Sequence, residues 1–392
     1  MRVLHLADPK FCGEEGLLAC AAAMRIPGAE HEAWIVGDTD DERVAHRLGI
    51  AASDRVPIRR GALGGWRGLA RLADRRFSAS GLPDIVQCWS VSGLAAARRA
   101  LGKRIPPRVG VLTRPLHPRT SVDSYALSEA TLAAVSMAVR SSHAEAASAR
   151  RGGRLLESNI RLIEPPVFEH GGPLHVDREN VRRAMSLSTS DVAIGLLSSP
   201  PSDADLERLM FAVGLAYTMG HRLVAIARRG VGHQRRAVRH VRSHGRRWDL
   251  RLTEATIVEI AAASDVAVID AHPTGAPGAG TCGPIALSLC AAMAVPVIAA
   301  GSAAPSDSWT ELPPVVRARN DDRGQLAPAF AMVLEDPRLR AEFAAAQRSW
   351  SDRARAASGF EQTLAAIWRE TANVPQRRAG LPTPTLLQAS MP

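Results

Sequence analysis

Long apolar runs are missing from this sequence of 392 residues. A membrane-spanning helix needs about 18 or more consecutive apolar residues, and no such stretch occurs. The first segment, Arg2–Asp8, reads directly as a strand and lacks the apolar stretch and cleavage site of a secretory signal. Apolar residues make up 46% and charged residues 22%, which is typical of a globular protein, and we expect a cytoplasmic location.

Metal-binding and disulfide patterns are also absent from the sequence. The five cysteines are scattered without a CxxC pair, which indicates reduced and mostly buried thiols rather than a zinc site or a disulfide framework. The acidic groups Asp38–Asp41 and Asp321–Asp322 read as loop charges rather than as a DxD-type metal pair. We therefore expect no bound metal.

Lysine and aromatic residues are both scarce. Lys10 and Lys103 are the two lysines, so arginine supplies most of the positive charge behind a net charge of +10. Nucleic-acid binders combine a basic face with aromatic side chains, and an aromatic content of 4% argues against that class. The densest basic segment, Arg235–Arg247, has two open interpretations: a solvated helix face, or a peripheral contact with phosphates or an anionic membrane surface.

Short apolar runs alternate with helix-like segments along the first half of the chain. The predicted strands lie at residues 2–8, 33–37, 84–89, 108–113 and 134–136. The predicted helices lie at residues 17–24, 92–101 and 127–134. Strands separated by helices of this length pair in parallel through right-handed crossovers.

The same alternation stops near the middle of the chain and then restarts. Arg161–Val167 is extended and stiffened by proline, and His170–Pro173 is rich in glycine, which together mark a domain boundary. The predicted units are an N-terminal domain (1–165), a C-terminal domain (174–355), a C-terminal helix (356–373) expected to pack back on the first domain, and a disordered tail (374–392).

Two such units in one chain predict two Rossmann-like, doubly wound α/β domains that face each other across a cleft. Open α/β sheets bind ligands at the carboxyl ends of their strands. The sequence therefore predicts a site between the domains, although this reasoning does not identify the ligand.

Several segments resemble the retaining GT-B glycosyltransferases of family 4 (glycosyl transferases group 1). In the second half, Glu259–Ile269 is similar to that family's "LLAAADVFVLPS", Ala291–Ala299 to "EAMACGxPVIA", Trp309–Leu312 to "xxELV" and Leu326–Arg340 to "LAxALxxLLxDPxLR". In the first half, the glycine loop after the first strand, Asp84–Trp89 and Arg161–Phe168 match "GGxE", "DIVHAH" and "xVIPNGVD" more loosely. The order of these segments over about residues 1–370 carries the resemblance.

The resemblance implies a GT-B architecture and transfer of a sugar, with retention, from a nucleotide-sugar donor to an acceptor. The nucleotide-sugar would be a substrate, and neither a cofactor nor a metal is implied. The sequence does not identify the acceptor.

The family's donor-binding motifs are altered in this chain. Members hold the donor with an arginine and a lysine in a "GRLxxxKG" pattern, whereas the corresponding segment here, Gly195–Asp203, contains no cation. The family's E-x7-E glutamates align with Thr281 and Leu289, and no carboxylate occurs from Ile285 to Ala300. The loss of an electrostatic clamp on the diphosphate typically reduces the rate by about 10²–10³-fold. A catalytically inactive GT-B protein that binds or scaffolds is therefore the alternative function.

The candidate site residues lie on loops at predicted strand ends. The glycine-rich loop before Pro284 can hold phosphate through backbone N–H groups, although a flexible insertion explains it equally well. Its candidate binding residues, with the "EL" glutamate, are Gly278, Gly280, Thr281, Cys282, Gly283 and Glu311. In the first domain, the candidates are Gly13, Glu14 and Arg114, with surface exposure as the alternative for Glu14. Weak catalytic candidates are His117, Asp270 and His272.

Overall fold

The computed structural model describes thirteen stretches of the chain: residues 1–56, 65–101, 108–112, 137–140, 160–169, 176–197, 203–218, 220, 223–229, 249–271, 284–301, 313–318 and 326–373. These residues form two β-sheets flanked by helices. The strands of each sheet pair in parallel. The predicted fold class, two doubly wound α/β domains, is confirmed.

The first domain contains a seven-stranded sheet in the order β3-β2-β1-β4-β5-β6-β7. Its strands are β1 (Arg2–Ala7), β2 (Glu30–Val36), β3 (Asp54–Val56), β4 (Ile85–Cys88), β5 (Arg108–Leu112), β6 (Met137–Arg140) and β7 (Ile160–Leu162). Its helices are α1 (Pro9–Ala23), α2 (Thr39–Arg47), α3 (Gly65–Ser80) and α4 (Val91–Leu101). The strand order reverses between β1 and β4, which is the kind of switch point where such sheets bind ligands.

The second domain contains a six-stranded sheet in the order β10-β9-β8-β11-β12-β13. Its strands are β8 (Val192–Leu196), β9 (Leu223–Arg228), β10 (Asp249–Thr253), β11 (Val266–Ala271), β12 (Val297–Gly301) and β13 (Val316–Ala318). The helices from here to the C-terminus are α5 (Arg178–Ala184), α6 (Asp203–Thr218), α7 (Ile257–Ala263), α8 (Pro284–Ala292), α9 (Leu326–Glu335), α10 (Pro337–Ala357) and α11 (Phe360–Asn373). Here the order reverses between β8 and β11.

Burial on both faces explains why the strands read as continuous apolar runs. Along β1, Leu4 and Leu6 pack on one face with Leu69 of α3, whereas Val3 and Ala7 belong to the apolar cluster on the other face. Side chains alternate between faces along a strand, so a sheet covered by helices on both sides needs apolar residues at successive positions.

One local prediction is corrected by the structure, and others fall outside the described residues. Asp38–Asp41 are not loop charges: Asp38 is the N-cap of α2, and its carboxylate accepts hydrogen bonds from the backbone N–H groups of Asp40 and Asp41. The strand predicted at 134–136 lies outside the described residues, next to β6 at Met137–Arg140. The predicted helix at 127–134, the basic segment 235–247 and the tail 374–392 lie outside the described residues. The domain boundaries at 165 and 174 stay a prediction.

Helix α5 joins the second sheet through a shared carboxylate. Asp265, just before β11, accepts hydrogen bonds from Arg178 Nη2 at 2.6 Å and Arg182 Nη1 at 3.2 Å. It also accepts the backbone N–H of Ala193 at 2.8 Å. Charge-assisted bonds of this kind are stronger than neutral ones, so Asp265 holds the helix and two strands together.

The C-terminal helix α11 crosses to the first sheet. The indole Nε1–H of Trp368, which is fully buried, donates to Gln87 Oε1 on β4 at 2.8 Å. The ring of Trp368 also lies edge-on against His5 of β1, with ring centroids 5.9 Å apart. Helix α11 therefore contacts the core of the first domain.

A directional chain of hydrogen bonds runs through two histidines beside this helix. The indole N–H of Trp89 can only donate, so His5 Nδ1 accepts it at 3.2 Å. His5 Nε2 must then carry the proton and donate to His31 Nδ1 at 3.0 Å, and His31 Nε2 donates to the carbonyl of Ile26 at 3.0 Å. This arrangement fits two neutral imidazoles and leaves no acceptor for a proton on His5 Nδ1.

Candidate functional site

The carboxyl ends of the two sheets meet at Glu14. This residue follows β1 of the first domain, yet its Oε2 accepts the backbone N–H of Ile257, the first residue of α7 in the second domain, at 2.6 Å. Its Oε1 forms an ion pair with Arg228, the last residue of β9. Glu14 is 2% exposed, so the surface interpretation of this carboxylate is wrong.

The backbone at Gly13 sets the position of Glu14. The helical segment α1 is broken there, because Gly13 has φ 68° and ψ −177°. Side chains rarely tolerate a positive φ, and a Cβ at this position would also lie 3.1 Å from Glu15 Oε2. The loop predicted over Gly13–Gly16 is therefore a kink at one residue, after which the helix resumes and carries Glu14 towards the second domain.

Sequence reasoning missed Arg228. The β8–β9 register pairs Leu196 with Ala227, so Arg228 lies level with Leu197, at the start of the segment where the resembling family places its donor-binding arginine. Gly195–Asp203 contains no cation, but Arg228 lies at the end of the neighbouring strand β9. A buried strand ending in Ala-Arg-Arg was the available signal, but only the pairing register brings Arg228 to this point.

A second ion pair joins the two domains, and here the first domain supplies the arginine and the second domain the glutamate. Arg47 at the end of α2 pairs with Glu259 of α7, and its Nη1 donates to the carbonyl of Glu254 at 3.2 Å. Glu259 also accepts the backbone N–H and the hydroxyl of Thr256, at 2.7 and 2.9 Å, in a capping box at the start of α7. The contact therefore depends on a carboxylate that its own helix already orients.

These contacts form an interdomain charge cluster, in which each arginine has a carboxylate partner. The pKa of the Arg228 guanidinium is lowered by burial, which outweighs the opposing effect of Glu254 and Glu259. An arginine nevertheless keeps its charge in proteins. The cluster has as many positive as negative side chains and consists of Arg47, Arg228, Arg229, Glu14, Glu254 and Glu259.

Two of the predicted candidates, Gly13 and Glu14, belong to this meeting point. Asp270 lies near the carboxyl end of β11, paired in register with Ala300 of β12. Strand β11 adjoins β8, so the backbone of Asp270 lies at the carboxyl edge of the second sheet. The other candidates lie outside the described residues: Arg114, His117, His272, Gly278, Gly280, Thr281, Cys282, Gly283 and Glu311.

The residue that the sequence comparison aligned with the second glutamate of the resembling family is a core residue. Leu289 on α8 is 1% exposed and belongs to the same apolar cluster as Leu17 and Leu18 of α1, against which α8 packs. A buried leucine cannot accept a hydrogen bond from a ribose hydroxyl. Leu289 therefore contributes to the packing of α8 against α1.

Two further properties concern only the part of the chain that the structure describes. No helix there is long and apolar enough to cross a membrane. No group of three or more His, Cys, Asp or Glu side chains in that part is arranged to hold a metal ion.

No protein-family model matches the chain, and no curated protein matches it in sequence. Solved structures do match. HepE from Anabaena in complex with UDP and glucose superposes with a TM-score of 0.70 at 17% identity, over 94% of this chain and 99% of that one. Sucrose-phosphate synthase from Thermosynechococcus elongatus gives 0.63 at 13% identity, over 94% and 98%.

A third neighbour is named for a different reaction. UDP-GlcNAc 2-epimerase from Neisseria meningitidis, bound to UDP-GlcNAc, gives a TM-score of 0.60 at 10% identity, over 94% of this chain and 100% of that one. Identities this low establish a common fold and not a common activity. The two parallel sheets meeting at their carboxyl ends, together with these neighbours, show that the chain has the GT-B fold.

Proposed function

We propose that this protein binds a uridine diphosphate sugar between its two domains and transfers the sugar to an acceptor. The observation that carries the proposal is the meeting of both carboxyl edges at Glu14 and Arg228, in a fold whose neighbours include complexes with UDP, UDP-glucose and UDP-GlcNAc. Ligands of open α/β sheets bind at such edges, at the point where the strand order reverses.

The finer features of the proposal come from the sequence resemblance. Retention of anomeric configuration and family 4 membership are implied by the order of its motifs and are included in the proposal. Asp270, at the edge of the second sheet, is the described residue that we propose as a catalytic candidate. His117 and His272 stay candidates from the sequence.

A non-catalytic binding or scaffolding protein is the second candidate function. It is favoured by the buried Leu289 at a glutamate position and by the charge-balanced cluster, which has no surplus positive charge for a diphosphate. Such a protein would bind partners through its surface, and its cleft would not transfer a sugar from a donor.

Calorimetry with UDP, UDP-glucose, UDP-GlcNAc and a GDP-sugar tests donor binding directly. We expect a uridine diphosphate ligand to bind, and no binding at millimolar concentration would contradict the proposal. Incubation with the bound donor, followed by product analysis, separates the reactions. Release of UDP indicates transfer to water or to an added acceptor, conversion to a 2-epimer indicates epimerisation, and an unchanged donor leaves the scaffold function.

A further inference from the structure

The Glu14–Arg228 ion pair lies at the carboxyl edge of the second sheet, the edge at which open α/β sheets bind ligands. Arg228 ends a strand at the carboxyl edge of the second sheet, and its side chain is 21% exposed, so part of its surface remains open to water. Glu14 reaches it from the opposite domain and is almost completely buried. The buried carboxylate of Glu14 pairs with this guanidinium in the way that the anionic group of a ligand would.

Charge balance limits what can bind beside this pair. The interdomain charge cluster contains equal numbers of arginines and glutamates, and a diphosphate brings about two negative charges. Within the six described residues of this cluster, such a ligand gains a cationic partner only if a protein carboxylate gives one up. Glu14 is the carboxylate supplied by the first domain, so a small separation of the domains releases Arg228 without disturbing its own sheet.

We propose that Arg228 binds the diphosphate of the nucleotide, and that Glu14 is the internal anion for which the diphosphate is exchanged. This inference rests on the proposed function and assigns its phosphate-binding residue. Arg228 thereby supplies from β9 the cation that is missing after β8. The exchange couples nucleotide binding to the separation of the two domains at this contact, because the same guanidinium cannot hold both anions equally well.

The proposal predicts opposite effects for the two partners of one ion pair. Glu14→Gln keeps an oxygen that can accept the Ile257 N–H and removes the competing charge, so UDP should bind about tenfold more tightly. Arg228→Gln should weaken UDP binding about tenfold or more, and Arg228→Lys should recover part of the loss. In the double variant, Glu14→Gln should give no gain, because the guanidinium that it frees is absent.

Arg43→Gln is the matched control. It removes an exposed arginine of the first domain that pairs with Asp40 outside the interdomain charge cluster, so the Kd for UDP should change by less than about threefold. Circular dichroism and the Tm of each variant establish that the variants are folded. An ion pair with a purely structural role would instead make Glu14→Gln and Arg228→Gln shift UDP binding in the same direction, or not at all.

Titration with UDP, and separately with inorganic pyrophosphate, distinguishes the two proposals. If wild-type protein binds UDP but Glu14→Gln does not bind it more tightly, the exchange is overturned and the proposed function stands. If neither wild-type protein nor any variant binds UDP, the proposed function fails. Titration with pyrophosphate then tests separately whether Arg228 forms an anion site. Tighter pyrophosphate binding by Glu14→Gln supports an anion site at Arg228, and equal or weaker binding overturns it.

Discussion

Replacement of His5 by asparagine should remove a large part of the pH dependence of folding stability. Burial, together with the nearby His31, lowers the pKa of His5 from 6.5 to about 3 in the folded protein. The hydrogen-bond chain explains the direction, because His5 Nδ1 faces the N–H of Trp89, and a second proton there would oppose another donor. Protonation therefore requires the chain of bonds to break.

The magnitude follows from the difference in proton binding between the two states. Between pH 6.5 and 3 the unfolded chain binds a proton at His5 that the folded protein excludes, so the stability present above pH 6.5 is lost as the pH falls. The slope is about 1.4 kcal/mol per pH unit, and from pH 7 to pH 5 the loss is about 2 kcal/mol. The asparagine side chain of the variant does not titrate and should not contribute this loss.

Urea unfolding at pH 7 and pH 5 measures the effect. Wild-type protein should lose about 2 kcal/mol more than His5→Asn between these two pH values. His46→Asn, which removes an exposed histidine on α2, is the control and should keep the wild-type dependence. Equal losses in wild type and His5→Asn would show that His5 does not cause this pH dependence. So would a nuclear magnetic resonance titration in which the imidazole of His5 gains a proton near pH 6.

Three further substitutions test the contacts that define the fold and the cleft. Trp368→Phe removes the donor to the buried amide of Gln87 and should lower the free energy of unfolding by about 1–3 kcal/mol in urea titrations; an unchanged value would contradict the docking of α11. Asp265→Asn weakens the hydrogen bonds through which Asp265 links α5 to Ala193. It should lower the free energy of unfolding in urea titrations by about 1–3 kcal/mol. Gly13→Ala forces a side chain into a positive φ and should cost about 1 kcal/mol or more, with weaker UDP binding by calorimetry; unchanged stability and affinity would show that the kink is not required.

The alternation of apolar runs and helices was enough to predict the two-sheet architecture. Strands such as β1, β8 and β11 are buried on both faces, so their sequences are continuous apolar runs that stand out from the segments around them. The three-residue strands β3 and β13 are too short to show a pattern. Helix α2 was missed because its capping residues, Asp38–Asp41, have the composition of a loop.

The candidate site was less accessible to sequence reasoning. Glu14 was found because it follows the first strand, but its burial and its partners belong to the other domain, more than 200 residues away in the chain. Arg228 carries no motif, and its position follows from the β8–β9 register. Contacts between distant segments depend on how the domains pack, which no local pattern encodes.

Hydrogen exchange with and without UDP tests whether a nucleotide binds where the two sheets meet. We expect UDP to change the exchange of backbone amides at the carboxyl ends of both sheets, with Glu14 in the first domain and with Leu197, Arg229 and Ile257 in the second. Changes confined to one domain, or no change at saturating UDP, would contradict a nucleotide site formed where the two sheets meet.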